Sequence, residues 1–125
     1  MCGVIGVISK EQVVNDLYHG VIRLNNRGQD GTGILTYDLD HGDMNSGMHR
    51  VRHKMSRSDR VGETYNKYDL LSLKGTKGLG HVRYSNIGVG EERDLQPMFV
   101  NSPEFIGMIH NGNTINYHSL KTYIE

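Results

Sequence analysis

The stretch MCGVIGVI, residues 1 to 8, places the only cysteine of the chain immediately before a short apolar run. Most positions of this run are β-branched or otherwise apolar, which is typical of a strand that is buried on both faces. Such a strand would hold Cys2 at the rim of a sheet. A sheet with a thiol at its edge is therefore the first expectation for this chain.

Length and charge exclude several classes of protein. The 125 residues suffice for one compact domain, and 14 basic residues balance 14 acidic ones. A neutral chain lacks the basic surface of a nucleic-acid binder, and no stretch approaches the roughly 20 apolar residues of a membrane span. A single cysteine forms no internal disulfide and the first residues lack a secretion signal, so we expect a cytoplasmic protein that binds neither nucleic acid nor membrane.

Hydrophobic periodicity predicts a chain in which strands predominate. Ser9 and Gln12 have the spacing of a capping box, and the apolar positions that follow predict a helix from about Lys10 to Leu24. Further strands are predicted at Ile34 to Tyr37, Gly80 to Tyr84 and Phe105 to His110, with Gln96 to Val100 lying between the last two.

Three weaker patterns complete the predicted organisation. Met48 to His53 would pair with the strand at Ile34, across a turn near His41 and Gly42. The basic residues from Arg50 to Arg60 are interpreted as a solvated face. A sharp turn at Asn111 and Gly112 precedes a final helix that is predicted to begin at Tyr117.

Cys2 becomes the N-terminal residue if Met1 is removed, as usually happens before a small second residue. It would then carry a thiol and a free α-amino group, whose ordinary pKa values are about 8.5 and roughly 8. Near neutral pH the unprotonated amine accepts the thiol proton, so that nucleophile and base share one residue. The alternative is a small buried cysteine without a catalytic role.

Other motifs offer groups that acyl transfer requires. The Asn111 side-chain amide and the Gly112 backbone N–H would converge on a tetrahedral oxyanion, although Asn-Gly is also an ordinary hairpin turn. Arg83 lies in an otherwise apolar strand, where its guanidinium would bind either a substrate carboxylate or an acidic side chain of the protein. Arg27 and Gly28 lie in a polar loop, where they would likewise either bind a ligand or be ordinary loop residues.

Metal and nucleotide sites have little support. His49 and His53 have i,i+4 spacing, but neither CxxC nor HExxH accompanies them and the segment resembles a strand. The segment that starts at Asp38 resembles the first residues of a calcium-binding loop, but Gly42 occupies the position of the third ligand. The chain contains neither GxGxxG nor GxxxxGK[ST], so the glycines are assigned to turns and we expect no cofactor in this chain.

Four blocks of the sequence together resemble the glutaminase domain of class II glutamine amidotransferases. The blocks are CGVIG at residues 2–6, RGQDGTG at 27–33, GHVRY at 80–84 and HNGN at 110–113. Within that family they resemble most the amidophosphoribosyltransferase branch. Gln29 and Tyr84 favour this branch, because glucosamine-6-phosphate synthases typically have tyrosine and tryptophan at these places.

The resemblance implies a fold and a reaction. The fold is α+β, of the N-terminal-nucleophile hydrolase type, with antiparallel sheets sandwiched between helical layers. Cys2 would attack the side-chain amide of glutamine, with its own amine as the base, and form a glutamyl thioester that water resolves. Asn111 and Gly112 would form the oxyanion hole, and Arg83 would bind the substrate carboxylate.

Further implications concern the surroundings and partners of this site. Arg27 and Gly28 would lie beside the nucleophile. Ammonia would pass to a phosphoribosyltransferase domain or subunit, for phosphoribosylamine formation in purine synthesis. Magnesium is expected only at that second site, and the protein would also form a homo-oligomer.

The resemblance finally implies that residues 1–125 form a single type 2 glutamine amidotransferase domain that is incomplete at its C-terminal end. The family places an aspartate that binds the substrate α-amino group about two dozen residues beyond Asn111 and Gly112, which falls past Glu125. The alternative to an active glutaminase is a catalytically inactive fragment, or a partner or regulatory subunit with the same fold.

Overall fold

The computed structural model describes residues 2–27, 30–38, 47–56, 58–84 and 92–125. Within these ranges the chain forms six strands and four helices. They are β1 (Gly3–Ile8), α1 (Val14–Arg23), β2 (Gly31–Asp38), β3 (Gly47–Lys54), α2 (Val61–Thr64), α3 (Lys67–Ser72), β4 (Lys77–Arg83), β5 (Met98–Val100), β6 (Ile106–Met108) and α4 (Tyr117–Ile124). Single 3₁₀ turns span Asn25–Arg27 and Glu92–Asp94.

The main sheet has four antiparallel strands in the order β1-β4-β2-β3. Gly3 pairs with Val82, while Gly31 pairs with both Arg83 and Lys54. The first residues of β1 and β2 and the last residues of β3 and β4 therefore share one end of the sheet. We call this end the Cys2 end, because Cys2 immediately precedes β1.

Helix α1 packs across one face of the main sheet. Its apolar positions recur at helical spacing, and Val13, Leu17 and Val21 are fully buried against Ile34 and Val82. Each buried aliphatic side chain contributes about 1.5 to 3 kcal/mol. The helix and the sheet therefore share the principal core.

Glycines allow α1 to lie close to the sheet. A Cβ atom on Gly80 would lie 2.7 Å from Ile5 and 2.8 Å from Val21, and one on Gly78 would overlap Leu17. These separations are shorter than any carbon contact allows, so a side chain at either position would push the helix outward.

Two short helices close the end of this core. Val61 of α2 is fully buried, and Tyr65 and Leu73 beside it are 6% and 1% exposed. Helix α3 begins with a capping box, in which the Asn66 side chain accepts from the backbone N–H of Asp69 while the Asp69 carboxylate accepts from that of Asn66. These helices were not predicted.

A second sheet, formed by β5 and β6, lies against the opposite face of the main sheet. Residues 31, 33, 35 and 37 of β2 face this second sheet, and the first two of them are glycines without a side chain. A Cβ on Gly33 would overlap the carbonyl oxygen of Gln96, and one on Gly107 would overlap Leu35. The two sheets therefore pack face to face with α1 outside, an α+β arrangement of antiparallel sheets as predicted.

Two arginines of β3 tie this second layer to the main sheet. Arg52 Nη1 donates to the carbonyl oxygen of Leu95 at 2.6 Å, and the Arg50 guanidinium lies 4.5 Å from the ring centre of Phe99. The interpretation of Arg50 to Arg60 as a solvated face is wrong for these two residues, because β3 directs them at the β5–β6 layer.

The outer face of the β5–β6 sheet is apolar and exposed. It carries Met98, Val100, Ile106 and Met108, which are 37 to 56% exposed. No element of the described residues covers this face, and all of α4 is exposed as well. Within the same described residues, no helix is long and apolar enough to cross a bilayer. The described residues therefore leave the outer face of the second sheet exposed.

The helix predicted from Lys10 begins later, at Val14. Ser9 Oγ accepts from the nearby Glu11 N–H at 3.1 Å, and Gln12 Oε1 accepts from the N–H of Gly75 at 2.6 Å. The predicted capping box is therefore wrong, because both of its side chains make other contacts.

Strand β1 also differs from its prediction. Val4 is 43% exposed and Ile8 80% exposed, so the strand is not buried on both faces. It is an edge strand of the main sheet, and the short second sheet does not extend far enough to cover it.

The remaining element predictions are confirmed. Strand β3 pairs with β2 as expected, although the turn near His41 and Gly42 lies outside the described residues. Strands β4 and β6 and helix α4 occur in the predicted regions, and β5 pairs with β6.

Candidate functional site

The Cys2 end of the main sheet brings the predicted nucleophile and the predicted arginine together. The β1–β4 register, extended by one residue beyond Gly3 and Val82, places Cys2 beside Arg83. Cys2 Sγ lies 3.8 Å from the carbonyl oxygen of Tyr84, and the residue is half-buried. Cys2 is thus at the rim of the sheet, as predicted, and is not a fully buried core residue.

Asn111 reaches the same end of the sheet from the second layer. Its Nδ2 donates to the carbonyl oxygen of Cys2 at 2.9 Å. Asn111 and Gly112 join β6 to α4, not two paired strands, so the alternative of an ordinary hairpin turn is wrong. A Cβ on Gly112 would lie 2.9 Å from the His110 ring, so that ring and the Gly112 backbone are in close contact.

Among the described residues, Arg83 has Asp94 as a charged partner and one side-chain nitrogen without a hydrogen bond. Its Nη2 lies 3.6 Å from Asp94 Oδ2, and the two side chains are 17% and 45% exposed. Its Nη1 is buried and has no hydrogen-bond partner among the described residues. An unpaired nitrogen of a buried cation is unfavourable, so this guanidinium retains the capacity to bind a further acceptor. The ion pair with Asp94 is therefore present, and the binding of a substrate carboxylate by Arg83 stays a prediction.

His81 is a buried titratable residue that the sequence did not single out. It lies two residues before Arg83 on the same face of β4 and is fully buried between the two sheets. Burial is the main cause that lowers its pKa, and the nearby charges of Arg83 and His110 add to it, while a hydrogen bond with the His110 backbone opposes it; the net pKa is about 4. His81 is therefore neutral near pH 7 and adds no positive charge beneath the site.

Gln96 is a second residue that the sequence did not single out. Its side-chain amide bonds both backbone polar atoms of His110, the residue immediately before Asn111. Gln96 lies in none of the four sequence blocks, and His81 lies in the GHVRY block without an assigned role. The hydrogen bonds of Gln96 to His110 and the position of His81 two residues before Arg83 connect them to the site.

The other predicted residues are placed as follows. Arg27 ends the 3₁₀ turn that leads towards β2, which begins at the Cys2 end. The Arg27 side chain and all of Gly28 lie outside the described residues, so their assignment stays a prediction.

The histidine pair of the metal alternative lies on β3, as the strand prediction implied. His53 Nε2 is 2.9 Å from Asp69 Oδ2, which is a contact with helix α3. In the described part of the chain, no group of three or more histidine, cysteine, aspartate or glutamate side chains could hold a metal ion.

Comparisons of the sequence identify amidophosphoribosyltransferases as relatives. The enzyme of Pasteurella multocida is 35% identical over 122 residues, which cover 97% of this chain and 22% of that protein. That of Saccharomyces cerevisiae is 32% identical over 128 residues, covering all of this chain and 23% of that protein. The chain thus spans about a fifth of the length of these curated relatives. No family model matches it.

Solved structures show the same relationship. A glutamine phosphoribosylpyrophosphate amidotransferase from B. subtilis matches 99% of this chain with a TM-score of 0.76 and 25% identity, over 24% of its own length. A structure described as the allosteric regulatory enzyme of purine biosynthesis matches with a TM-score of 0.80 and 26% identity, over 99% of this chain and 25% of its own. The predicted resemblance and the predicted fold class are confirmed.

Proposed function

We propose that this chain, which is similar over its whole length to a part of amidophosphoribosyltransferases, is the glutaminase part of a glutamine-dependent amidotransferase. The observation that carries the proposal is the meeting of Cys2, Arg83 and Asn111 at one end of the main sheet. These residues come from three separate segments, and Asn111 donates directly to Cys2 across 109 residues of sequence. Each of the three supplies a different requirement of acyl transfer.

Cys2 supplies the nucleophile. After removal of Met1, its α-amino group takes the thiol proton, and the sulfur attacks the side-chain carbonyl carbon of glutamine. The tetrahedral intermediate collapses with departure of ammonia, which carries the proton from the amine, and leaves a glutamyl thioester on Cys2. Water then adds to the thioester carbon and releases glutamate, which returns the thiol to Cys2.

Asn111 supplies a donor for the oxyanion. A carboxamide nitrogen has two N–H groups, and one of those on Nδ2 is directed at the Cys2 carbonyl oxygen. The second is available to the negative oxygen of the tetrahedral intermediate, together with the backbone N–H of Gly112. Donors held in place before the reaction stabilise developing charge without reorganisation.

Arg83 supplies the recognition of free glutamine. Its buried Nη1, which lacks a partner in the described chain, would bind the substrate α-carboxylate, while Nη2 keeps its contact with Asp94. A guanidinium is suited to this role because its parallel N–H groups match a carboxylate. Arg27 and Gly28 are proposed to line the same pocket next to the nucleophile.

The product of this half-reaction is ammonia, and a second domain is needed to use it. The relatives are named as amidophosphoribosyltransferases, so we propose a phosphoribosyltransferase domain or subunit as partner and phosphoribosylamine as the final product. Magnesium would act only in that partner, and the glutaminase chemistry proceeds without a cofactor.

A second candidate function is that of an inactive fragment or a partner or regulatory subunit. The observation that favours it is the exposed apolar face formed by Met98, Val100, Ile106 and Met108, since apolar patches of this kind mark protein contacts. The molecular size of the purified protein distinguishes the two candidates. The second candidate predicts a stable complex or dimer without glutaminase activity, whereas a monomer with glutaminase activity would oppose it.

The test is the intact mass of the purified chain before and after exposure to an electrophilic glutamine analogue, with the site of the adduct mapped. We expect loss of Met1 and one adduct on Cys2, which excess glutamine prevents and excess asparagine does not. Cys2→Ala is the control and should take up no label while keeping its thermal unfolding transition. Retained Met1, or a processed chain that takes up no label, would favour the second candidate.

A further inference from the structure

We infer that Gln96 is a positioning residue, which holds the loop carrying Asn111 in register with Cys2. The inference rests on the proposed function, because it assigns to Gln96 the placement of the oxyanion donors. Gln96 itself touches neither the substrate nor the nucleophile. It acts through His110, and we call the pair of hydrogen bonds between them the Gln96 clamp.

The clamp has the form of a strand pairing. Gln96 Nε2 donates to the carbonyl oxygen of His110 at 3.2 Å, and the backbone N–H of His110 donates to Gln96 Oε1 at 2.5 Å. Met98 of β5 pairs with Met108 of β6, and continuation of this register would pair residue 96 with residue 110. The side-chain amide therefore makes the two bonds that a backbone neighbour would make, two residues beyond the last pair of the sheet.

The base of the clamp is fixed to the main sheet. The Gln96 carbonyl oxygen lies so close to Gly33 of β2 that any side chain there would overlap it. On one side of Gln96 the Leu95 carbonyl accepts from Arg52 at 2.6 Å, and on the other Pro97 is fully buried. The backbone at Gln96 is thus held from several directions, and its side chain extends from a rigid support.

The clamped residue is the last one before the site. Strand β6 ends at Met108, and no regular element of the described chain resumes until α4 begins at Tyr117. His110 lies in this irregular stretch, and Asn111 follows it directly and donates to Cys2. The clamp is therefore a contact that fixes the loop immediately before its reactive residues, and a shift of about 1 Å at such a position can cost two orders of magnitude in rate.

Gln96→Met tests the clamp, because methionine keeps the length of the side chain and removes both hydrogen bonds. We expect kcat for glutamine hydrolysis to fall about 10-fold to 100-fold with KM within about 3-fold, since the donors act mainly on the transition state. A role limited to general stability would leave kcat of the folded fraction unchanged. Amide hydrogen exchange provides a second readout, in which the His110 N–H should lose its protection.

Gln12→Met is the matched control. Gln12 also bonds a distant backbone group through its side chain, the N–H of Gly75 at 2.6 Å, but Gly75 precedes β4 at the end of the main sheet opposite to Cys2. This variant should keep wild-type kcat and wild-type exchange at His110. Gln96→Glu, which keeps the acceptor for the His110 N–H, should preserve more protection than Gln96→Met and serves if the latter does not fold.

The outcomes separate this inference from the proposed function. Wild-type kcat in Gln96→Met, or an unprotected His110 N–H in the wild-type chain, overturns the inference while the glutaminase proposal stands. If the wild-type chain hydrolyses no glutamine, the proposed function fails, and exchange then decides the clamp: unchanged protection of His110 and Asn111 in Gln96→Met refutes it, and selective loss of protection there supports it.

Discussion

Replacement of Asn111 by alanine separates a structural from a catalytic role of this residue. Among the described residues, Asn111 Nδ2 makes one hydrogen bond, to the carbonyl oxygen of Cys2. If Asn111 only fixes the loop to β1, the variant loses that bond and nothing else. If it also stabilises the oxyanion, the variant loses a contact that exists only in the transition state.

The two roles predict effects of different size. The contact is exposed, so water replaces the lost amide at the Cys2 carbonyl, and a neutral hydrogen bond of this kind contributes about 0.5 to 1.5 kcal/mol. Loss of one oxyanion donor instead lowers kcat by about 10² to 10³-fold, which corresponds to about 3 to 4 kcal/mol. We expect the larger loss in kcat and the smaller loss in unfolding free energy.

The assay is ammonia release at saturating glutamine, measured together with denaturant unfolding of the same preparations. Asn113→Ala is the matched control, because Asn113 lies two residues away, is exposed and makes no hydrogen bond within the described chain. This control should retain kcat within about 2-fold. A folded Asn111→Ala variant with kcat within about 3-fold of the wild type would refute the oxyanion role.

Three further predictions concern recognition, packing and pH. Arg83→Lys should raise KM for glutamine about 10-fold or more with a smaller change in kcat, because a point charge replaces a planar fork; steady-state kinetics measures this. Leu17→Ala should lower the unfolding free energy by about 2 to 5 kcal/mol in denaturant titrations, since the Leu17 side chain is fully buried between α1 and the main sheet. The His81 pKa of about 4 lies below its ordinary value near 6.5, so as the pH falls the unfolded chain binds the proton first. The free energy of unfolding should therefore be full above pH 6.5 and fall by up to about 3 kcal/mol towards pH 4. Unfolding titrations of His81→Phe should lack this loss.

Each of these predictions has an outcome that contradicts it. An unchanged KM in Arg83→Lys would remove Arg83 from the substrate pocket. A decrease in unfolding free energy below about 1 kcal/mol in Leu17→Ala would mean that α1 is not closely packed against the main sheet. Equal pH slopes in the wild type and His81→Phe would assign the acid sensitivity to other groups.

The strands and the main helix could be predicted from the sequence because their signals are local. Alternation and apolar runs indicate β2 and β4, and helical spacing indicates α1. The start of α1 could not be predicted, because Gln12 bonds Gly75, which is 63 residues away. Helices α2 and α3 have four and six residues, too few for a periodic pattern to emerge.

The candidate site likewise contains residues that the sequence indicates locally and residues that only the folded chain brings in. Cys2, Arg83 and Asn111 lie in short motifs, so their chemistry could be inferred before their positions were known. Asp94 enters the site through its ion pair with Arg83 of the main sheet, and Gln96 enters it through two hydrogen bonds to His110 within the second layer. A linear pattern does not display such contacts, because each depends on how separate segments come together in the folded chain.

The hydrogen bond between Cys2 and Asn111 also sets an order of events during synthesis. A ribosome adds about 5 to 20 residues per second, so the 109 residues that separate the two require roughly 5 to 20 seconds to be made. During this interval the Cys2 carbonyl oxygen has no Asn111 to bond it, so this end of the sheet closes only after residue 111 has been made. The bond joins the exposed backbone oxygen of Cys2 and not its amine, so it leaves the proposed removal of Met1 free to occur before or after the sheet end has closed.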